Sequence, residues 1–234
     1  MFNVLHYETI GSTSDEARRL AAGDAAHGTV VHADEQRAGR GRLSRIWVSP
    51  PGNLYVSVLL RLDLPPARLP ELSFVTALAV ADAVEALLPR HVRVMLKWPN
   101  DVLVWGAKIA GILLEQTDGA TIIGIGVNVL HAPATGGYKT TSIAASGGIA
   151  SVDGARDRLL ARLERHLTTW QADGFGPVRT AWLARAHPIG AALRVSLQGQ
   201  TVEGAFGGLD DTGALLLETK AGRQRVVAGD VAVR

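Results

Sequence analysis

Residues 92–129 read VRVMLKWPNDVLVWGAKIAGILLEQTDGATIIGIGVNV, and short apolar runs alternate there with Gly, Asn, Asp and Pro. This is the pattern of strands joined by tight turns. Four strands are predicted in it: Val92–Trp98, Val102–Trp105, Lys108–Gln116 and Thr121–Val129. Because strands are grouped in runs here, without a helix between each pair, an α+β fold is favoured over a doubly wound one.

The chain on either side adds helices and further strands. Thr13 followed by Glu16 has the spacing of a capping box, so a helix is expected to begin there and to end near Gly23. Leucines at helical spacing, with Arg or Glu between them, predict a long helix over Asp153–Trp170. The other predictions are strands over Asn3–Tyr7, Thr29–Ala33 and Asn53–Leu62, and helices over Leu69–Leu88 and Pro177–Ala186.

The sequence changes in character after His187–Pro188. Turns such as Gln198–Gly199 now separate short strands, which is typical of a small β-barrel. The predicted strands are Leu193–Leu197, Thr201–Leu209, Ala214–Thr219 and Gln224–Ala228. We therefore predict two domains, residues 1–187 and residues 188–234.

The composition excludes several classes of protein. The chain has 234 residues, 47% of them hydrophobic and 20% charged, which suffices for a large domain plus a small one. No apolar run reaches the roughly 18 residues of a membrane span, and the N-terminus lacks a signal-type segment. Cysteine is absent, which excludes disulfides and a thiolate nucleophile. A cytoplasmic protein without membrane association is expected.

An arginine-rich loop is the first candidate for chemistry. Residues 36–47 read QRAGRGRLSRIW, with glycines that let the backbone approach an anion and guanidinium groups that neutralise it. A solvated basic loop is the simpler interpretation. A nucleic-acid patch with Trp47 as a stacking platform is another, although a net charge of only +2 and the lack of a wider basic stripe weaken it.

Two further motifs lie within the strand-rich stretch. The first is Lys97-Trp98-Pro99-Asn100-Asp101, a sequence typical of a turn between two strands. Lys108 follows on the next strand, so both lysines could face one site. Alternatively, both lysines are ordinary surface charges.

The second motif is Gly124-Ile125-Gly126-Val127-Asn128. It lacks the third glycine and the following helix of a dinucleotide-binding fingerprint. Its glycines instead predict that a flat group presses against the strand, with the Asn128 amide beside it.

Taken together, these motifs resemble those of biotin protein ligases in order and approximate spacing. The motifs that match are Gly11–Ser14, Gln36–Ser49, Lys97–Asp101, Lys108–Glu115, Gly124–Asn128 and the C-terminal Gly229-Asp230-Val231. The resemblance covers nearly the whole chain. It implies a catalytic domain built on a mixed β-sheet covered by helices, followed by a small SH3-like β-barrel.

The resemblance also implies a site and its residues. The residues expected around biotin are Ser12, Thr13, Ser14, Gln36, Arg40, Gly41, Arg42 and Lys97. Those expected around ATP are Arg40, Arg42, Trp47, Asn100, Lys108 and Asn128. Lys97, Lys108 and Arg42 are the expected catalytic residues. Biotin would react with ATP to give biotinyl-adenylate and pyrophosphate, and a lysine of the biotin-carrier domain of a carboxylase would then take the biotinyl group. Mg²⁺ would accompany ATP, with ligands that the sequence does not identify.

This sequence departs from the family pattern at three positions. Ser14 stands where the family often has Asn, and Leu43-Ser44 stands where it often has Arg-Gly, which leaves the loop less charged and less flexible. A first strand predicted within a few residues of Met1 leaves no room for the N-terminal DNA-binding domain of some members, so no specific nucleic acid is expected.

Three other functions remain as alternatives to biotin ligation. They are a lipoate ligase, a nucleic-acid-binding regulator that uses Arg37–Arg45, and a catalytically silent binding module. The oligomeric state stays open, and a homodimer is compatible with the sequence.

Overall fold

A seven-stranded mixed sheet forms the centre of the larger part of the molecule. The computed structural model describes residues 2–117, 119–134, 139–197 and 200–233. The strands of this sheet are β1 (Asn3–Ile10), β2 (Thr29–Gln36), β3 (Leu54–Leu60), β4 (Val94–Lys97), β5 (Asp101–Val104), β6 (Ala107–Thr117) and β7 (Ala120–Val127). Their order is β1-β2-β3-β7-β6-β5-β4. β1 and β2 are parallel and the other neighbours antiparallel, which confirms the predicted mixed sheet.

Helices cover both faces of the sheet. The four helices are α1 (Thr13–Ala22), α2 (Glu71–Glu85), α3 (Val152–Asp173) and α4 (Phe175–Leu183). α1 packs against one face through Ala17 and Ala21, whereas α2 lies on the other face with α3 and α4 behind it. α2 is apolar around most of its circumference because it has neighbours on both sides. β3 is buried at every position for the same reason.

Most helix ends differ from the predictions by one to three residues, and the starts of α1 and α2 show why. The N-cap of α1 is Ser12, whose hydroxyl accepts a hydrogen bond from the Asp15 amide at 3.5 Å. The predicted Thr13 cap is wrong by one residue, because the Thr13 hydroxyl donates to Gln36 instead. α2 begins at Glu71 rather than Leu69, since Pro70 occupies its N-cap position after a 3₁₀ turn.

Five antiparallel strands form the C-terminal part. They are β8 (Ala192–Leu197), β9 (Gln200–Leu209), β10 (Leu215–Thr219), β11 (Gly222–Val226) and β12 (Asp230–Val233), in the order β11-β10-β9-β8-β12. The predicted Gln198–Gly199 turn lies outside the described residues. The α+β fold class is confirmed, and the domain boundary after residue 187, between α4 and β8, stays a prediction.

The two parts share one hydrophobic core. Phe74 on α2 packs edge-to-face against Phe175 and Trp182, with ring centroids 5.4 Å apart in both pairs. Trp98 donates its indole N–H to the Gly213 carbonyl of the C-terminal part at 3.1 Å. This contact ties the Lys97–Asp101 motif to the second sheet. In the ranges that the structure describes, no helix is long and apolar enough to cross a membrane.

Candidate active site

All twelve residues that the sequence predicts for the site line one cavity. Its volume is about 700 Å³, and its walls come from the N-terminus of α1, the arginine-rich loop, β4–β7 and the start of β12. The predicted residues on its walls are Ser12, Thr13, Ser14, Gln36, Arg40, Gly41, Arg42, Trp47, Lys97, Asn100, Lys108 and Asn128. The sequence predictions are therefore brought to one place, although the role of each residue stays a prediction.

The strand register explains why the motifs meet. Lys97 pairs with Asp101, Asp101 with Gly111 and Gly111 with Gly126, so a single row crosses four antiparallel strands at one end of the sheet. The Lys97–Asp101 hairpin and the glycines of the later strands thus lie side by side. Lys108 enters the same site from the start of β6, where its backbone is hydrogen-bonded to residues 139 and 141.

Asp101 bridges the two lysines at the centre of the site. Lys97 Nζ lies 2.8 Å from Asp101 Oδ2, and Lys108 Nζ lies 2.5 Å from Asp101 Oδ1. Burial opposes ionisation of Asp101, but the attraction of Lys108 and Lys97 outweighs it and holds the pKa of Asp101 below its ordinary value. A carboxylate thus fixes two ammonium groups with their charges close together. We did not assign Asp101 a role from the sequence, because an aspartate in a turn is ordinary.

His187 is a second neighbour of Lys97 that the sequence did not single out. Both residues line a small cavity between the two parts of the molecule, and His187 Nε2 has no hydrogen-bond partner among the described residues. Burial, and then the charge of Lys97, lower the pKa of His187. The imidazole therefore stays neutral at neutral pH and adds no further positive charge behind Lys97.

A cluster of hydroxyl and amide groups lines the end of the cavity beside α1. Thr13 donates both its backbone N–H and its hydroxyl to Gln36 Oε1, at 2.8 and 3.0 Å. Ser14 and the buried Ser57 lie 3.0 Å apart, and Ser57 donates to Thr13 Oγ1 at 2.8 Å. Gln36 in turn donates to Ser49 at 3.0 Å. This end of the cavity can therefore both donate and accept hydrogen bonds to a polar planar group.

Trp47 forms a flat wall of the cavity over Gly126 and Gly111, beside the hydroxyl cluster at Gly124. Its indole lies on Gly126 so closely that a Cβ added there would come within 2.5 Å of Nε1. The flat group predicted against the glycine strand is therefore a side chain of the same protein. The Lys108 ammonium lies 5.3 Å from the ring centroid, a cation–π contact. The buried Trp47 N–H, which is packed against Gly126, has no acceptor within the described ranges.

The loop arginines are paired with carboxylates from distant parts of the chain. Arg40 lies 2.6 Å from Asp15 on α1. Arg42 donates to the Gly229 carbonyl at 3.2 Å and lies 3.7 Å from Asp230, and Arg45 also pairs with Asp230. Asp15 and Asp230 were not predicted, because their separation from the loop in sequence hides the contact. The second sheet therefore holds one side of the loop.

The loop backbone is strained where the sequence departs from the family pattern. Leu43 and Ser44 have φ angles of 53° and 58°, in the left-handed region that favours glycine. The Leu43 side chain is 72% exposed and so contributes little packing there. Because the family's glycine is missing here, the loop backbone is strained as well as less flexible.

Two predicted nucleotide contacts have their amide hydrogens engaged. Asn100 donates to the Ile112 carbonyl at 2.6 Å, and Asn128 donates to the Thr141 carbonyl at 2.9 Å. Asn100 Oδ1 also receives a long hydrogen bond from Arg42 at 3.4 Å. Both side chains therefore fix the backbone that shapes the cavity.

Comparison with known proteins identifies the family. Residues 8–130 match the Biotin/lipoate A/B protein ligase family, and residues 189–234 match the Biotin protein ligase C terminal domain. The chain belongs to the biotin/lipoate A/B protein ligase family. Within it, this member is 40% identical over 233 residues to the biotin–[acetyl-CoA-carboxylase] ligase of Paracoccus denitrificans, with 94% of this chain and 96% of the relative covered. It is 35% identical over 240 residues to the bifunctional ligase/repressor BirA of Bacillus spizizenii, with coverages of 98% and 73%.

Solved structures of biotin/lipoate ligase family members have the same fold. The biotin protein ligase from Aquifex aeolicus in complex with biotin and ATP superposes with a TM-score of 0.85 at 28% identity, and covers 99% of this chain and 98% of its own. The biotin protein ligase from Leishmania major in complex with biotinyl-5-AMP has a TM-score of 0.70 at 25% identity, with coverages of 97% and 99%. The predicted resemblance to biotin protein ligases is confirmed.

Proposed function

We propose that this protein joins biotin to a lysine of a biotin-carrier protein, with ATP, through biotinyl-5′-AMP. One observation carries the proposal: Lys97 and Lys108 meet at Asp101 in a cavity that is also lined by the hydroxyl cluster and by the Trp47 indole. Such a cavity offers hydrogen-bonding groups to a polar head group, an aromatic face to a flat group and positive charge to anions. The two ammonium groups then lie where the two substrates join.

The hydroxyl-lined end is the proposed site of the biotin ureido group. A ureido group has two N–H donors and one carbonyl acceptor, and the cluster of Thr13, Ser14, Ser57 and Gln36 offers both kinds of partner. On binding, hydrogen bonds within the cluster are exchanged for hydrogen bonds to the ligand. The valeryl chain would then point toward Lys97.

The lysine pair supports the first chemical step. A carboxylate oxygen of biotin attacks the α-phosphorus of ATP, the bond from that phosphorus to the bridging oxygen breaks, and pyrophosphate leaves. Two anions must approach each other, so fixed positive charge beside them lowers the barrier. Lys97 and Lys108 supply it, and Asp101 keeps both ammonium groups in place. Trp47 would provide the surface for the adenine base.

The second step transfers the biotinyl group. The neutral amine of the acceptor lysine attacks the carbonyl carbon of the mixed anhydride, AMP leaves, and the amine loses a proton. Lys97 is placed to stabilise the negative charge that develops on the carbonyl oxygen. Arg40 and Arg42 would close over the adenylate and keep out water, which would otherwise hydrolyse it.

Along the described part of its wall, the cavity offers Mg²⁺ no carboxylate that is not already paired. The carboxylates on the described part of its wall are Asp101 and Asp230, and each is already paired with two cationic side chains. Mg²⁺ that accompanies ATP would therefore be held by phosphate oxygens and water, as this ion commonly is. The protein groups act through their own charges and hydrogen bonds.

Biotin-dependent release of pyrophosphate from ATP is the direct test. The wild-type protein should release pyrophosphate only when biotin and ATP are both present, and Lys97→Ala should lose about 10²- to 10³-fold in rate. Lys220→Ala, on an exposed turn of the C-terminal part, is the matched control and should keep wild-type activity. A folded Lys97→Ala variant with near-normal release would contradict the assignment.

A lipoate ligase is the second candidate within the family. The hydroxyl and amide cluster argues for biotin, because these groups can hydrogen-bond to a ureido group, whereas the dithiolane ring of lipoate offers them no comparable donors or acceptors. Adenylation in a mixture of biotin and lipoate should therefore yield biotinyl-adenylate in large excess. Equal adenylation of both acids would remove the preference.

We also propose that the arginine-rich loop does not serve specific nucleic-acid binding. Arg40, Arg42 and Arg45 are paired with carboxylates of the same protein, so a nucleic-acid phosphate would have to displace those partners. Binding measured across a salt titration should be weak and independent of sequence. A complex that persists at physiological salt and discriminates between sequences would overturn this.

A further inference from the structure

Two histidines and an aspartate cluster on the first two strands, away from the cavity. β1 and β2 run parallel in a register that places His6 directly beside His32. Asp34 follows two residues later on β2 and therefore projects from the same face. This face carries Val30 and the core beneath α2 and α3, whereas α1 and Ser14 lie on the opposite face. The cluster thus takes no part in the chemistry described above.

The three side chains already approach the geometry of a metal site. One ligand atom from each of them lies within 4.8 Å of those of the other two. His6 Nε2 and Asp34 Oδ1 are 2.9 Å apart, and the two imidazole rings stack with centroids 5.0 Å apart. Ligands about 2.1 Å from a tetrahedral zinc ion lie roughly 3.3 Å from one another. His6 and Asp34 are about half exposed, so they can close that difference by rotation of their side chains.

His32 supplies an independent indication of a ligand. Its side chain is buried, with a residue exposure of 1%, yet its Nε2 has no hydrogen-bond partner among the described residues. A buried polar atom without a partner is unfavourable and calls for an explanation in a native structure.

Arg156 is the positive group nearest to the cluster, and its charge is compensated. It contacts His32 Nδ1 at 3.3 Å, but it makes shorter contacts with Asp153 at 2.7 Å and Asp157 at 2.9 Å. His32 can coordinate an ion through Nε2 only when Nδ1 carries the proton. An N–H of Arg156 could then no longer donate to Nδ1, so Arg156 would lose the longest of these three contacts. The two aspartates continue to hold the guanidinium and partly offset its charge beside the cluster.

We infer that His6, His32 and Asp34 bind a divalent transition-metal cation of the Zn²⁺ class. Two imidazoles and one carboxylate form a common ligand set for zinc, with water completing the tetrahedron. Such an ion would join the edge strand β1 to β2. Its role would be structural, because the cluster lies on the sheet face opposite α1 and Ser14.

Zinc binding by the full-length protein tests this inference in the absence of ATP and biotin. After treatment with a chelator, the protein should bind Zn²⁺ at a ratio near one in titration calorimetry, and Co²⁺ should give the visible absorption of a tetrahedral site. His6→Ala and Asp34→Asn should each weaken zinc binding by about tenfold or more. These two residues are half exposed, so both variants are expected to fold.

His91→Ala is the matched control, because His91 is exposed and lies outside the cluster. Its zinc affinity should equal that of the wild type, and zinc should raise the melting temperature of both proteins but not that of His6→Ala. A dissociation constant of roughly 100 micromolar is about the weakest that would be useful for a structural ion. If no zinc binds at about that concentration, the inference is overturned. Zinc binding that is unchanged in His6→Ala and Asp34→Asn would overturn it as well.

Discussion

Replacement of Asp101 by asparagine tests the charge arrangement at the centre of the site. The substitution keeps the size and one oxygen of the side chain but removes the negative charge between Lys97 and Lys108. Asp101 and Lys97 are each only 8% exposed, so water cannot fully replace the lost partner. Removal of one member of a buried ion pair commonly costs about 3–5 kcal/mol. Because Lys108 is 22% exposed, we expect the lower end, about 3 kcal/mol.

A loss of this size is readily measured by thermal unfolding. For a chain of this length, about 1 kcal/mol corresponds to a shift of roughly 2–4 °C, so the melting temperature of Asp101→Asn should fall by about 6–12 °C. Biotin and a non-hydrolysable ATP analogue bring anions to the same two lysines. These ligands should therefore raise the melting temperature of the variant by more than they raise that of the wild type, at concentrations that saturate both.

Asp82→Asn is the matched control for this experiment. Asp82 is also a largely buried carboxylate with several cationic partners, Arg185 at 2.7 Å and His166 at 2.8 Å among them, but it lies between helices outside the cavity. Asp82→Asn should destabilise the protein without enlarging the effect of the ligands. An equal ligand effect in the wild type and Asp101→Asn, or an unchanged melting temperature of Asp101→Asn, would refute the reasoning.

The pH dependence of stability gives a second check on Asp101. Since its pKa is lowered in the folded state, its ion pairs stabilise the protein above the unfolded-state value of 3.8, and this contribution is lost as the pH falls through the folded-state value. The difference in stability between the wild type and Asp101→Asn should therefore be largest near neutral pH and should shrink below about pH 4. A difference that does not vary with pH would mean that charge is not the cause.

Substitutions at three further positions test other parts of the site. Arg42→Gly removes a charge-assisted contact and should raise the rate of adenylate release by about tenfold or more. The released adenylate should then label lysines of other proteins in the mixture. An unchanged rate of adenylate release would mean that Arg42 does not retain the intermediate. Gly126→Ala should displace the Trp47 indole and weaken ATP binding in calorimetry more than biotin binding; equal effects on both would argue against an indole wall for the base. Ser44→Gly should keep or raise the melting temperature while Ser44→Val lowers it, because a β-branched residue at a φ of 58° is strained; identical melting temperatures would show that the loop avoids this conformation in solution.

The sequence predicted the elements and the membership of the site better than it predicted the contacts within it. Lys97 and Asp101 were both visible in one motif, and the register of β4 with β5 then placed them side by side. Alternating apolar runs and turn residues carry that information locally. The ends of elements were less predictable: Ser12 caps α1 because Gln36, 23 residues beyond Thr13, takes the Thr13 hydroxyl.

Long-range ion pairs account for most of what the sequence did not reveal. Arg42 and Asp230 are 188 positions apart, and no local pattern marks Asp230 as a partner of the loop. The pairing of His6 with His32 likewise depends on a parallel register that the apolar pattern of β1 does not specify. Such contacts follow from the packing of whole elements, so they appear only when the fold is known.

The carboxylates beside the cationic groups explain how one site can hold so much positive charge. Asp15 from α1, Asp101 from β5 and Asp230 from β12 each take part in ion pairs with lysines or arginines that line the cavity. Without them, mutual repulsion and desolvation would push these side chains toward water and out of position. Under the proposed function, substrate anions would displace existing partners at the loop arginines, whose contacts are more exposed, whereas the lysine pair would keep Asp101. The site would therefore gain preorganised charge at the reacting atoms and give up some affinity at the loop, so that the loop arginines could exchange partners as the intermediate forms and leaves.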